Sequence, residues 1–144
     1  MTETDIHELT TEEEWLDAFP VMVQLRTHLN EDSYLDYLRE MTDDGYRLFA
    51  VSVDGEIVSL AGVGIRVNMY YGRHAWVYEL VTDADHRSEG YGFELLSFVE
   101  DWAEEENCEL VALSSGLQRE DAHRFYEERA EMERASYVYK RPLE

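Results

Sequence analysis

The chain has 144 residues and carries 33 Asp and Glu against 12 Lys and Arg, a formal net charge of −21, with Lys140 as its single lysine. Hydrophobic residues make up 44% and aromatics 12%, which excludes a disordered acidic chain, and the length suits one domain. A surface this negative repels phosphate backbones and anionic headgroups, which excludes nucleic acid and membranes as partners. With Cys108 alone there is neither an intrachain disulfide nor a cysteine-rich metal site.

Asp5–Leu9 reads as a short first strand. Thr10 followed by Glu13 has capping-box spacing, so a helix is expected from about Thr11, with Trp15, Leu16 and Phe19 on its apolar side. Pro20 lacks an amide proton and is expected to break, kink or restart that helix. Ser33 is the expected cap of a second helix carrying Tyr34, Leu35, Tyr37, Leu38 and Met41 at helical spacing, ended by Asp43-Asp44-Gly45. From Tyr46 the period falls to two. Leu48–Val53 reads as a strand, Asp54-Gly55 as a two-residue hairpin turn, and Glu56–Val67 as a longer strand with Gly62 and Gly64 in its middle. A second turn at Tyr70–Arg73 leads into Ala75–Val81, completing a meander. Residues 90–106 are helical, with Leu95, Leu96, Val99, Trp102 and Ala103 on one stripe. Glu109–Ser114 is a further strand, Asp121–Ala130 a short helix, and Ala135–Lys140 a last strand. The order β, α, α, β, β, β, α, β, α, β predicts an α+β or mixed α/β fold, a mixed sheet covered by helices.

The acids are spread along the whole chain, as at Glu12–Glu14, Asp43–Asp44, Glu104–Glu106 and Glu127–Glu128. Dispersal and the near-absence of Lys point to a solvated skin, expected of a halophilic source, rather than a docking face for a basic partner. Met1–Glu14 lacks the basic and apolar regions of a signal peptide. The apolar stretches Ala18–Val23 and Leu60–Ile65 fall far short of the ~20 residues of a membrane span, so a cytoplasmic protein is expected.

The most informative segment runs from Glu79 to Gly92: strand, short loop, glycine-bearing turn, amphipathic helix. Gly90 and Gly92 bare the first amides of a helix, which with the helix dipole make an anion site. Such a site suits a chain with one Lys. A P-loop would need Lys and then Ser or Thr after the second glycine, where Phe93-Glu94 stand, and a dinucleotide fingerprint would need a small residue at Leu95.

Arg87-x-x-Gly90-x-Gly92 after a strand ending Leu80-Val81-Thr82 resembles the acetyl-CoA-binding motif of the GNAT superfamily of N-acetyltransferases. Asp121-Ala122-His123-Arg124-Phe125-Tyr126-Glu127-Glu128 resembles that family's A-x-x-F-Y-E helix. Either motif alone is weak; both, in the right order and on the right elements, are specific. Two positions depart from the pattern: Arg119 stands where the family often has Asn, and Glu131-Met132 where its helix usually closes with Gly-Phe.

The resemblance implies that residues 1–144 form a single GNAT domain, a mixed, mostly antiparallel sheet of six to seven strands flanked by four helices. It implies direct transfer of an acetyl group from acetyl-CoA to a primary amine of a small molecule or protein, without a metal, and it leaves a homodimer open. The amides of Ser88, Glu89, Gly90, Tyr91, Gly92 and Phe93 would cradle the CoA pyrophosphate, with Arg87 adding a salt link and Arg119 or Arg124 assisting. Leu80, Val81 and Thr82 would pair with the pantetheine arm, an amide near Leu80 or Val81 also holding the thioester carbonyl.

Tyr126 is the expected proton donor to the departing thiolate, since a phenol stays protonated at neutral pH. Glu79 is the expected base. It interrupts an apolar strand, and strict alternation puts it on one face with Val77 and Val81, opposite Trp76, Tyr78 and Leu80; a Glu at the sheet surface, or one paired with an Arg, is the other reading. His86, His123 and Cys108 read as packing or solvated residues, and Tyr34, Tyr37, Tyr70 and Tyr71 as core or as an acceptor pocket. The departures at Arg119 and Glu131-Met132 motivate one rival, an acyl-CoA-binding sensor or interaction module without catalysis.

Overall fold

Two tight turns and one helical crossover set the order of the sheet. The computed structural model describes residues 3–116 and 119–143, which divide into two compact units between Ala112 and Leu113. The first holds β1 (Thr4–Leu9), α1 (Glu12–Leu25), α2 (Glu31–Asp43), β2 (Arg47–Val53), β3 (Glu56–Asn68), β4 (Gly72–Thr82), a 3₁₀ turn (Ala84–His86) and α3 (Tyr91–Glu105). β5 (Leu110–Leu113) runs into the second unit, followed by α4 (Glu120–Arg124) and a π-helical turn (Phe125–Arg129).

Asp54 and Gly55, at φ 51° and 85°, make the hairpin turn that the Asp-Gly pair predicts. The strands lie side by side in the order β1-β2-β3-β4-β5, with β1 to β4 antiparallel throughout. The fold is mixed α+β with an open sheet, and the described residues form four α-helices and five strands rather than six to seven. The expected last strand, Ala135–Lys140, is absent: Tyr137, Val138 and Tyr139 stand 68%, 70% and 92% exposed. Three consecutive large side chains give no inward and outward alternation, and strand propensity is realised only against a cross-strand partner.

The sheet buries one set of side chains under α1 and α2 and another under α3. Trp15, Ala18, Val21 and Met22 of α1 and Tyr34 and Leu38 of α2 pack on Leu48, Ala50, Leu60 and Val81. On the opposite face Leu95, Leu96, Val99 and Ala103 of α3 are buried, and Phe49 meets Phe98 and Trp102 edge-on at 5.2 and 5.5 Å.

Three local details differ from expectation. The capping box of α1 is Thr11 with Glu14, one residue later, because Glu14 Oε1 accepts the amides of both Thr10 and Thr11. α2 is capped by Asn30, whose Oδ1 accepts the Ser33 amide; Ser33 is the reciprocal member of that box rather than the cap. α1 continues through Pro20 to Leu25. The proline and Leu16, whose carbonyl it leaves without a donor, both lie on the exposed side, and the buried stripe of α1 outweighs the loss.

Candidate active site

β4 does not alternate strictly. Gly62 pairs with Glu79 and Val63 with Val77, so Tyr78 is an extra residue, a β-bulge. Tyr78 and Glu79 therefore both face α1 and α2: Tyr78 packs on that core with its ring 5.5 Å from Tyr46, and Val77 is turned the other way. Glu79 thus shares a face with Val81, as expected, but with Tyr78 instead of Val77.

The Glu79 carboxylate, 12% exposed, is held from two sides. Arg26, at the end of α1, donates from Nε to Oε2 at 3.2 Å and from Nη2 to the Tyr78 carbonyl at 2.6 Å, and the ion pair brings Nη2 within 3.1 Å of Oε2. The Tyr46 hydroxyl donates to Oε1 at 2.6 Å. Burial, reinforced by the Glu79 charge and this hydrogen bond, pushes the Tyr46 phenol well above its ordinary range. Gly62 opposite supplies the space, since a Cβ there would fall 1.8 Å from the Tyr46 oxygen. Arg26 and Tyr46 went unnoticed in the sequence, where they stand 53 and 33 positions from Glu79.

Beyond Glu79 the backbone of β4 offers a free direction. The Asp83 amide donates to the Val58 carbonyl at 2.8 Å, so in the antiparallel ladder Val81 and Glu79 bond to β3 while Leu80 and Thr82 turn their N–H and C=O groups to the other edge. The Glu109 amide donates to the Arg73 carbonyl, which starts β5 beside the beginning of β4, and its four residues reach only the first half of that strand.

The Arg87 guanidinium reaches the outward Thr82 carbonyl at 3.4 Å. The following turn carries Ser88 at φ 66° and Gly90 at φ 90°, the left-handed conformation that turns the chain into α3. Among the described residues no side chain caps α3, and a Cβ on Gly90 would meet nothing within 4 Å. The expected positions Leu80, Val81, Thr82, Arg87, Ser88, Glu89, Gly90, Tyr91, Gly92 and Phe93 thus form one continuous strand end, loop and helix start.

Gln24 of α1 braces this loop: its Nε2 donates to Asp83 Oδ1 at 2.7 Å and its Oε1 accepts the Ala84 amide at 2.8 Å. His86 lies between Asp83 and Glu89, at 4.0 and 3.2 Å.

Tyr126 and Arg119 come together within the second unit. Tyr126 sits at the start of the π-helical turn, half-buried, its ring 5.4 Å from that of Phe125. Burial pushes its phenol upward, while the hydrogen-bonded Arg119 guanidinium pulls the other way. Arg124 is engaged by Asp121, and His123 Nε2 lies 2.8 Å from the Gly116 carbonyl oxygen.

Burial also pushes the Cys108 thiol up, against the pull of Arg73, which keeps it from acting as a thiolate. Tyr34 is core, donating to the Trp15 carbonyl at 2.7 Å, whereas Tyr37 and Tyr70 are exposed. A hollow of about 500 Å³ beside β1 is rimmed by Glu3, Asp5, Glu14 and Asp17, the wrong charge for a polyphosphate, and includes none of the expected site residues. Among the described residues no three His, Cys, Asp or Glu are grouped to hold a metal ion, and no helix is long and apolar enough to cross a membrane.

A family model described as the acetyltransferase (GNAT) family matches residues 9–131. The chain belongs to that family. It is accordingly an acetyl-CoA-dependent acyltransferase. It is 42% identical over 137 residues, 94% of its own length and 96% of the relative's, to the uncharacterized N-acetyltransferase YhdJ of Bacillus subtilis (strain 168). It is 26% identical over 106 residues, 71% of this chain and 68% of the other, to the aminoalkylphosphonate N-acetyltransferase of Salmonella typhimurium. Among solved structures it resembles the aminoglycoside N-acetyltransferase AAC(6')-Iy in complex with CoA, with a TM-score of 0.86 at 16% identity over 99% of this chain and 96% of that one. At that identity the likeness bears on fold alone.

Proposed function

We propose that the protein transfers an acetyl group from acetyl-CoA directly to a primary amine of a small molecule or protein. The observation that carries this reading is the continuity of two backbone features: the outward N–H and C=O of Leu80 and Thr82, and, eight residues on, an α3 start without a side-chain cap. The first suits an extended pantetheine arm, and the second suits its pyrophosphate. The amides from Ser88 to Phe93 are assigned to the phosphates, with Arg87 in support and Arg119 as a second candidate. The Leu80 amide is assigned to the thioester oxygen as it gains charge.

In the step itself the neutral amine attacks the thioester carbonyl carbon and the carbon–sulfur bond breaks. The departing sulfur takes its proton from the Tyr126 hydroxyl, and the nitrogen gives its proton to Glu79 through water. Residues 1–144 act in this reading as a single domain in a salt-rich cytoplasm, needing neither nucleic acid nor a membrane.

Isothermal titration with acetyl-CoA in molar KCl tests binding, and thiol release with spermidine, a lysine peptide and a free peptide N-terminus tests transfer. Absence of acetyl-CoA binding would overturn the reading. Binding without thiol release across these amines would favour a non-catalytic acyl-CoA sensor, for which the Arg119 and Glu131-Met132 positions speak.

A further inference from the structure

We propose that Arg26 is a positioning residue for the acyl transfer: from the end of α1 it holds the Glu79 carboxylate, jointly with the Tyr46 hydroxyl, in the one orientation that leaves an Oε1 lone pair for the released proton. The inference rests on the reading of Glu79 as base and extends it to residues outside the motif-bearing segments. A carboxylate has about four lone-pair sites. Oε2 accepts the Arg26 Nε–H and lies 3.1 Å from Nη2 in the ion pair, and Oε1 accepts one O–H from Tyr46. The guanidinium thus covers Oε2, and Oε1 keeps a lone pair beside the Tyr46 bond.

The guanidinium is itself fixed, because Nη2 also donates to the carbonyl of Tyr78, the bulge residue next to Glu79. One planar fork thus sets both the backbone of the bulge and the carboxylate it displaces onto this face. The Tyr46 side is equally constrained, because the hydroxyl occupies the space that the missing Gly62 side chain leaves open.

The other groups facing the carboxylate do not duplicate Arg26. Tyr34 of α2 is a neutral buried phenol whose hydroxyl is spent on the Trp15 carbonyl. Tyr46, between α2 and β2, is likewise a neutral donor. Tyr78, on the same strand, turns its hydroxyl to Arg66 Nε at 2.9 Å, and Arg66 is otherwise engaged by Asp44. Among the described residues Arg26 is therefore the cation paired with Glu79, and its removal changes both the charge beside that group and its orientation.

The test is steady-state transfer from acetyl-CoA to an amine that turns over, with the full chain in molar KCl and the acetyl-CoA dissociation constant measured beside it. Arg26→Ala is expected to lower turnover at saturating substrates by about tenfold or more while the dissociation constant stays within about twofold, and Arg26→Lys to recover part of that turnover. In a Glu79→Gln background there is no base left to orient, so adding Arg26→Ala is expected to cost nothing further. A purely structural clasp predicts instead an equal loss in both backgrounds, in step with thermal stability. If Arg26→Ala does not fold, Arg26→Lys and Tyr46→Phe carry the same double-variant readout with smaller losses. Unchanged turnover in Arg26→Ala, or equal losses in both backgrounds, overturns the Arg26 inference alone. Glu79→Gln turning over like the wild type overturns the base reading and this inference with it.

Discussion

A Cβ on Gly62 would lie 1.8 Å from the Tyr46 hydroxyl oxygen, 2.4 Å from its Cζ and 2.6 Å from Glu79 Oε1. A strand glycine that looks like loss of packing is in fact the seat of the phenol–carboxylate contact. Gly62→Ala is expected to lower stability by about 1–3 kcal/mol, the usual range for overpacking a buried site, read from urea unfolding in molar KCl. Adding Tyr46→Phe removes the oxygen but leaves the Cζ overlap, so the double variant should recover only part of the loss.

Gln24 ties α1 to Asp83 and Ala84, four positions before Ser88, where the segment assigned to the cofactor phosphates begins. Of its two hydrogen bonds the one to Asp83 is partly buried and the one from Ala84 is exposed, and each is worth about 0.5–1.5 kcal/mol net. Gln24→Ala should weaken acetyl-CoA binding by about tenfold in calorimetry, with turnover at saturating acetyl-CoA little changed. Equal losses in turnover and affinity would count against this role.

Tyr126 carries its hydroxyl in a half-buried place, and burial raises its titration above that of a free phenol. A proton donor of this kind stays competent through about pH 10, so the rate attributable to it should hold to that point. Tyr126→Phe should lower turnover by about 100-fold or more without weakening acetyl-CoA binding. Unchanged turnover on a responsive amine would remove the residue from the mechanism.

Tyr34 and Tyr46 predict an alkaline limit to stability. Burial, with the Glu79 charge beside it, raises both phenols in the folded state. The folded values lie above the unfolded one, so their stabilising contribution is whole below about pH 10 and is lost as pH rises beyond it, where only the unfolded chain ionises. Unfolding free energy should fall steeply above about pH 10, and less steeply in Tyr46→Phe.

The charge of −21 predicts a response to salt. Self-repulsion acts at full range in dilute buffer and is screened within about 3 Å at molar ionic strength. The melting temperature should rise between dilute buffer and molar KCl; a flat response would remove the halophilic reading.

The parts of the molecule that local chemistry decides were legible in the sequence. Asp54-Gly55, the Gly90 turn, the stripe from Leu95 to Ala103 and the meander all follow from turn residues and period. Family membership was legible from two motifs for the same reason, since each is a short run on one element. The bulge at Tyr78 was not. It is a decision of two strands about register, and the sequence of β4 alone reads as unbroken alternation. Arg26, Tyr46 and Gln24 were hidden because their partners are 53, 33 and 59 positions away, and an Arg or Gln near a helix end carries no mark of what it will meet. Pro20 misled in the opposite sense: local chemistry disfavoured a continuous α1, and the tertiary burial of Trp15, Ala18, Val21 and Met22 overrode it.

The extra residue in β4 also sets a limit on how this site can arise or be lost. A point substitution exchanges a side chain but cannot change the count of residues between Gly72 and Glu79, and it is that count, one more than the partner strand requires, that puts a carboxylate and not an aliphatic side chain under Arg26. In a chain with strict alternation from Val77 onward, the same letters would send Glu79 to the side of α3. The arrangement is therefore inherited as a length. It is stable against the commonest kind of mutation and open to abrupt loss by the gain or loss of a single codon.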